Sequence, residues 1–185
     1  MEKRISVVIP NYNNAATIGK CLDAAFASHY GNYEVIVVDD RSDDNSVEII
    51  RKYQCKLICL ERHSGTSKAR NAGAQNSSGE IIFFTDADCL LQPETLSIVN
   101  QTLSGTDNNI VLGGTYTRVP YDRDFFSAFQ SAFVNYSETK NATPDYIAAH
   151  ALIIHSKTFR KSGGFPEDFM PILEDVEFTH RLRRA

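Results

Sequence analysis

No two of the four cysteines in this 185-residue chain, Cys21, Cys55, Cys59 and Cys89, stand in a CxxC arrangement. The usual ligand spacing of a structural zinc site is therefore missing. Cys55 and Cys59, an even distance apart in CKLIC, are expected to share one face of a strand as small buried hydrophobes. No apolar run reaches the roughly 20 residues that a membrane-spanning helix needs. The N-terminus enters a strand pattern rather than a signal peptide. Basic residues are not in excess: 19 Lys and Arg against 23 Asp and Glu leave a formal charge of −4, the wrong sign for a nucleic-acid partner. Neither GxxxxGK[ST] nor GxGxxG occurs, so the two common phosphate-cradling loops are absent. Internal repeats and low-complexity segments are absent too. Asn-x-Ser/Thr triplets, such as the one at Asn135, read as coincidental in a cytosolic chain. What these absences leave is a cytoplasmic domain that can still work at the inner face of a membrane.

The composition that remains, 42% hydrophobic and 23% charged, suits one globular domain with a well-buried core. Ile5–Ile9 is a β-branched run stopped by Pro10. The turn NYNNA follows, with Asn13 or Asn14 as cap for a helix over Ala16–Ser28, whose Ile18, Leu22, Ala25 and Phe26 recur at helical spacing. Tyr33–Val38 is a second strand ending in Asp39 and Asp40, and the next helix turns Val47 and Ile50 inward. Lys56–Leu60 is a third strand, and a small-residue helix covers about Ser67–Asn76. The strand IIFFT starts at Ile81, and a helix from Pro93 to about Leu103 closes the first half. Alternating strands and helices with short connections predict right-handed βαβ units and a mostly parallel central sheet with helices on both faces. The continuous apolar character of the strands agrees. In the second half, strands are expected over Ile110–Thr117 and Tyr146–His155 and a helix over Phe125–Tyr136. Lys157–Ser162, a glycine turn, a loop through FPEDFMPI and a final helix from Glu174 to the last residue follow.

Polar clusters gather where three strands end: Pro10-Asn11-Tyr12-Asn13, Asp39-Asp40 and Asp86-Ala87-Asp88. In an open α/β sheet, ligands bind outside the carboxyl ends of the strands. Each cluster alone reads as an ordinary strand-to-helix turn, and Asp86 and Asp88 alone read equally well as a strand end capping the following helix. Together they form an acidic rim whose self-repulsion a cation or ligand donors must offset. Asp86 and Asp88, one residue apart, can converge on a hard cation such as Mg²⁺ or Mn²⁺ that keeps open positions for phosphate. Asp40 can accept hydrogen bonds from a base or a ribose, and Tyr12 can stack on a base. Arg70 can pair with phosphate or with an acidic rim residue, or stand solvated on its helix. Glu174 and Asp175 suit a helix start, where the dipole favours a charged carboxylate. His150 and His155, on an apolar pattern, read as satisfied core or rim residues, with the acceptor side as the lesser reading for His150, and His180 reads as an exposed helix residue.

The segments VVIPNYN, EVIVVDDRSDD, SKARNAG, FFTDADC and SGGF…EDVEFTHRLRRA, in that order over residues 5–185, together resemble the GT-A glycosyltransferases of family 2. The resemblance implies a GT-A fold in a single domain, residues 1–185. A nucleotide-binding half spans about 1–104 and a more variable acceptor-side half about 105–185. It implies an inverting, metal-dependent transfer from a nucleotide-diphosphate sugar, with a lean towards uridine, using Mn²⁺ or Mg²⁺. The transferred group is of hexosyl or N-acetylhexosaminyl type, in cell-surface polysaccharide or glycolipid assembly. Carried over by position, Pro10 and Tyr12 line the base pocket, Asp40 hydrogen-bonds the base and Asp39 supports the loop. Arg70 lies near the nucleotide or the acidic rim. Asp86 meets the ribose or the metal's water shell, and Asp88 is the direct metal ligand. Asp175 is the general base, with Glu174 as second choice. The acceptor is a carbohydrate or a lipid-linked one, consistent with peripheral membrane association. Family members usually continue beyond the helix that carries the base, so the chain reads as C-terminally truncated. No QxxRW-type segment follows, which removes support for a processive synthase.

Two other readings compete. A sugar-phosphate nucleotidyltransferase would need a glycine- and lysine-bearing loop after the first strand, and NYNNAAT has neither residue. A non-catalytic nucleotide-sugar-binding module would keep the rim and lack transfer.

Overall fold

A computed structural model describes residues 2–107, 109–122, 124–141, 143–168 and 173–184. The elements run β1 (Ile5–Asn11), α1 (Ile18–Phe26), β2 (Tyr33–Asp39), α2 (Ser46–Ile50), β3 (Lys56–Cys59), α3 (Thr66–Gln75), β4 (Ile81–Thr85), α4 (Thr95–Leu103), β5 (Val111–Gly113), α5 (Phe125–Thr139), β6 (Ala151–His155), α6 (Ser156–Lys161) and α7 (Glu174–Arg184). Six strands form one sheet in the order β3-β2-β1-β4-β6-β5. The first four are mutually parallel, and β6 pairs antiparallel with both β4 and β5. The mostly parallel α/β sheet expected from the alternating pattern is therefore present.

Each strand divides its side chains between two cores. Ile5, Val7, Ile9, Val35, Val37, Ile81 and Phe83 meet Ile18, Leu22, Ile50, Leu96 and Leu103 on one face. On the other face Val8, Ile82, Phe84 and Ile154 pack against Ala74, Phe159, Phe165 and Phe178. Ile36 and Val38 meet Ala69 there. The period-2 alternation of strand side chains explains why the middle of each central strand is a nearly unbroken apolar run, with Ser6 the exception: both faces are covered. Helices α1, α2 and α4 cover one side and α3, α6 and α7 the other.

Several local expectations shift. β1 continues through Pro10 to Asn11 rather than stopping at Ile9. Its ladder with β4 ends at Val8, so the proline lies beyond that pairing, where its missing N–H leaves no β4 carbonyl unbonded. Neither Asn13 nor Asn14 caps α1 through its side chain; the N-cap is Thr17, with no side-chain bond. Asn13 instead takes a φ of 52° and accepts a bond from the Asp43 N–H at 2.9 Å. The carboxylates of Asp86 and Asp88 do not cap α4, whose N-cap is Glu94.

Cys59 is exposed and Cys55 only partly buried. β3 is the edge strand, and the five-residue α2 leaves part of its face open. In the second half β5 shrinks to Val111–Gly113, and only Ala151–His155 of the expected Tyr146–His155 strand pairs. The stretch before it turns instead, and the Ala149 N–H is spent on the Asp175 carboxylate at 3.2 Å. Residues 169–172 of the loop expected through FPEDFMPI, and Ala185, lie outside the described residues. Among the described residues no helix is long and apolar enough to cross a membrane.

Candidate functional site

Because β1, β2 and β4 are parallel neighbours, Asn11, Asp39 and Thr85 end on one rim of the sheet. A cavity of about 360 Å³ opens there, lined by Pro10, Asn11, Tyr12, Asn14, Asp40, His63, Thr66, Ala69, Arg70, Asp86, Ala87, Asp88 and Glu174. The strand order reverses between β1 and β4, since the chain steps from β1 out to β2 and β3 and then crosses back to β4 on the other side of β1, and that switch point is where an open α/β sheet takes a ligand. Pro10, Tyr12, Asp40, Arg70, Asp86, Asp88 and Glu174, all singled out from the sequence, meet in this one space. Asp39 and Asp175 are not part of its lining.

The two adjacent aspartates divide their work because consecutive strand residues face opposite ways. Asp39 accepts from Asn11 Nδ2 at 2.8 Å, from Ser42 Oγ at 2.6 Å and from the Ser42 N–H at 3.1 Å, and so ties down the turn after β2. Asp40 accepts the backbone N–H groups of Ser64 and Gly65, both at 2.7 Å, and pairs with His63 Nδ1 at 2.9 Å. It therefore holds the loop between β3 and α3 as well as facing the cavity. A carboxylate has about four lone-pair sites, so room for a further donor remains.

His63 was not singled out from the sequence. Its ring stacks on Tyr12, with centroids 4.1 Å apart and planes at 29°. The signal was available in principle: the HSG stretch follows the third parallel strand and so reaches the same rim.

Arg70 is buried, at 4% exposure, rather than solvated. Its Nη2 donates to Asp86 Oδ1 at 2.8 Å and its Nη1 to Glu174 Oε1 at 2.6 Å. The guanidinium lies over the Phe165 ring, 5.5 Å from its centroid. A planar fork is what lets one side chain bridge two carboxylates from elements more than 80 residues apart. Arg70 Nε is buried and without a hydrogen-bond partner.

Glu174 is thus committed to a cation. Asp175, its neighbour at the start of α7, instead accepts the Ala149 N–H and, through Oδ1, the Val176 N–H at 2.8 Å. Among the described residues its acceptor capacity is not spent on a charged partner.

Asp88 is exposed, and its one side-chain contact is a weak one from the Cys89 thiol at 3.8 Å. Burial raises the Cys89 thiol to about 11, helped by the charges of Asp86 and Asp88, so it stays protonated near neutral pH. Among the described residues no group of three His, Cys, Asp or Glu side chains stands ready to hold a metal. The donor set still suits a hard cation of the Mg²⁺ or Mn²⁺ kind. Such an ion takes one or two carboxylates from the protein and the rest of its oxygens from phosphate and water. Asp88, and the part of Asp86 that Arg70 leaves free, fit that description.

Beyond Asp88 a second cavity, of about 770 Å³, continues along β5 and α5, and its lining includes Lys20, Thr85, Cys89, Thr115, Tyr116, Tyr121 and His150. Asp88 lines both spaces. His155 lies at the opposite end of β6, opposite Ile81 in the register, with its Nε2 3.4 Å from Lys3 Nζ. Burial and Lys3 lower its pKa. It is a buried histidine away from the rim. His180 is exposed on α7.

The model of the family described as glycosyl transferase family 2 matches residues 6–162. The glycosyltransferase AglE of Haloferax volcanii is 31% identical over 189 aligned residues, covering 98% of this chain and 62% of its own. The crystal structure of Staphylococcus aureus TarS residues 1–349 in complex with UDP superposes with a TM-score of 0.81 at 25% identity, over 97% of this chain and 54% of that one. The mannosyltransferase PcManGT of Pyrobaculum calidifontis, solved with GDP-Man and Mn²⁺, superposes with a TM-score of 0.75 at 23% identity, over 98% and 52%. This chain spans less than two thirds of the length of each of these proteins.

Proposed function

The chain belongs to glycosyl transferase family 2, and from that premise we propose that it moves a sugar from a nucleotide-diphosphate donor to a hydroxyl acceptor, with inversion at the anomeric carbon. The observation that carries the reading is the small rim cavity, where an aromatic platform, a buried arginine and two rim carboxylates meet. Tyr12, backed by His63, offers a flat apolar face to a base, and Pro10 and Asp40 complete that end. The UDP bound by TarS supports a lean towards uridine. Arg70 holds Asp86 and Glu174 in fixed positions and so sets the spacing between the donor side and α7.

Asp88, with Asp86 beside it, would hold the divalent ion. When bound, that ion supplies the charge that offsets the leaving diphosphate. Asp175 is the group that takes the acceptor's proton. It stands at a helix start, oriented by two backbone N–H groups and, among the described residues, with no cationic partner. Glu174 is the weaker candidate, because its acceptor oxygen is engaged by Arg70 at 2.6 Å. The acceptor is a carbohydrate or a lipid-linked carbohydrate, in polysaccharide or glycolipid assembly at the cytoplasmic face of a membrane.

Thermal unfolding with UDP or GDP, with and without Mn²⁺, tests this directly. Metal-dependent stabilisation is expected, and it should vanish in Asp88→Ala. Asp175→Asn should bind UDP as the unchanged chain does and lose UDP release from a UDP-sugar by about 10²-fold or more. Absence of any nucleotide-diphosphate shift would sink the donor reading. Binding without turnover in the unaltered chain would leave a nucleotide-sugar-binding module.

A further inference from the structure

The larger cavity begins at Asp88, so it receives what lies beyond the diphosphate if the donor sits as proposed above; the inference rests on that reading. Its lining mixes apolar side chains such as Phe83, Leu91 and Leu112 with many hydroxyl, amide and ring groups, a make-up that can orient a polar ligand carrying several hydroxyls. Two of those polar side chains form a unit. The rings of Tyr116 and His150 stack with centroids 4.6 Å apart and planes at 28°. Both residues line the cavity.

The unit is held from behind. His150 Nε2 faces Glu138 Oε2 of α5 at 3.6 Å, and both atoms are buried without a hydrogen-bond partner among the described residues. A carboxylate facing that nitrogen favours the tautomer with its proton on Nε2, which leaves Nδ1 as an acceptor. Tyr116 is fixed through its backbone carbonyl, which accepts from Asn135 Nδ2 of α5 at 2.7 Å. Among the described residues its hydroxyl oxygen meets only the weak Cys89 thiol donor, at 3.9 Å, so the phenolic O–H is left to donate. Thr85 and Thr115, which line the same cavity, each carry a buried hydroxyl with no partner among the described residues. One residue before His150, the Ala149 N–H holds the Asp175 carboxylate.

We propose that Tyr116 and His150 read the hydroxyl groups of a sugar ring on the far side of Asp88, with Glu138 as the positioning residue for His150. The ligand class is a pyranose, whose hydroxyls both donate and accept and whose ring presents apolar faces to such a wall. It enters either as the transferred sugar of the donor or as the acceptor sugar, and both present the same chemistry.

The test uses Tyr116→Phe, His150→Ala, His150→Gln and Glu138→Gln in the whole chain, with UDP, UDP-N-acetylglucosamine and GDP-mannose as probes in the presence of Mn²⁺. Affinity for UDP alone should stay within about twofold of the unaltered chain, since the nucleotide cavity is on the other side of Asp88. If the donor sugar is what is read, the gain in affinity of the nucleotide sugar over the bare nucleotide should fall by about tenfold in Tyr116→Phe and His150→Ala, one lost hydrogen bond each. If the acceptor sugar is read, that gain persists, and the stimulation of UDP release by added glucose, mannose or N-acetylglucosamine is lost instead. His150→Gln, which keeps a hydrogen-bonding group, should recover part of either effect. Glu138→Gln should raise KM for the affected sugar with little change in kcat.

Unchanged sugar dependence in both arms overturns the inference. So does an equal loss of bare UDP affinity, which would mark the pair as support for the Asp88 turn. Failure of the unaltered chain to bind UDP at all would instead strike the donor reading on which the inference stands.

Discussion

Glu34 stands near the amino-terminal end of β2, on the rim of the sheet opposite the site, and one of its carboxylate oxygens accepts three bonds. They come from Ser6 Oγ at 2.6 Å, the Ser78 N–H at 2.7 Å and Ser78 Oγ at 2.8 Å. Burial pushes its pKa up, but those bonds and the nearby Arg4 outweigh it, so the net direction is below the ordinary value of 4.5. A carboxylate depressed on folding contributes stability that is present above its unfolded pKa and is lost as pH falls through the folded one. Glu34→Gln should therefore cost about 1 kcal/mol at pH 7. The gap to the unaltered chain should close in denaturant titrations below roughly pH 4.

At the same scale, the sequence shows which rim residues are chemically unusual but not what occupies them. Asp40 was legible as a rim carboxylate. Its bonds to Ser64 and Gly65 were not, because they depend on how a loop more than 20 residues away folds back. Asp40→Ala should accordingly cost stability as well as binding, by about 1–3 kcal/mol in chemical denaturation, since it strips two part-buried N–H groups of their acceptor.

Helix α3 shows why a run of small residues was needed between the acidic rim and the sheet. A Cβ on Gly73 would lie 2.3 Å from Val8 Cγ1 and 3.2 Å from Val38 Cγ2, so the helix backbone rests directly on β1 and β2. That close approach puts Arg70, one turn earlier, inside the rim instead of above it. Gly73→Ala should cost about 2–3 kcal/mol and weaken the Arg70 bridge, visible as a lower midpoint together with weaker nucleotide binding. At Gly164 the obstacle is double: φ is +77°, and an added Cβ would come within 2.6 Å of Asn71 Oδ1. That oxygen accepts the Phe165 N–H at 2.9 Å, which fixes the start of the chain's path towards α7.

The parallel elements were readable because a strand buried on both faces leaves an unbroken apolar run. The later ones were not. Ala148 and Ala149 look like strand by composition, but a carboxylate from α7 claims the Ala149 N–H, and β5 supplies only three residues for β6 to pair with.

Across the molecule the two halves differ in how they are held. The first is gripped by cores on both faces of the sheet. Helix α5 has one buried residue, Ser131. Phe125, Phe126, Phe129 and Phe133 are 59–79% exposed, and three of them stack along the helix. Contiguous exposed aromatic surface of this kind binds hydrophobic dyes. The double substitution of Phe125 and Phe129 by Ser should remove about half of the dye fluorescence of this chain without lowering its melting temperature.

The order of the strands also has a meaning in time. β1 pairs with β2 and β2 with β3 across short stretches of chain, while β6 reaches β4 from far along the sequence and in the opposite direction. Pairings that close long loops form late, and a chain leaving the ribosome presents its N-terminal part first. The nucleotide side of the rim can therefore assemble while Arg70 has only Asp86 to hold. Glu174, arriving with α7, completes the bridge and brings Asp175 in with it. On the function proposed above, a newly made chain would grip its donor before it owns the group that lets the donor react.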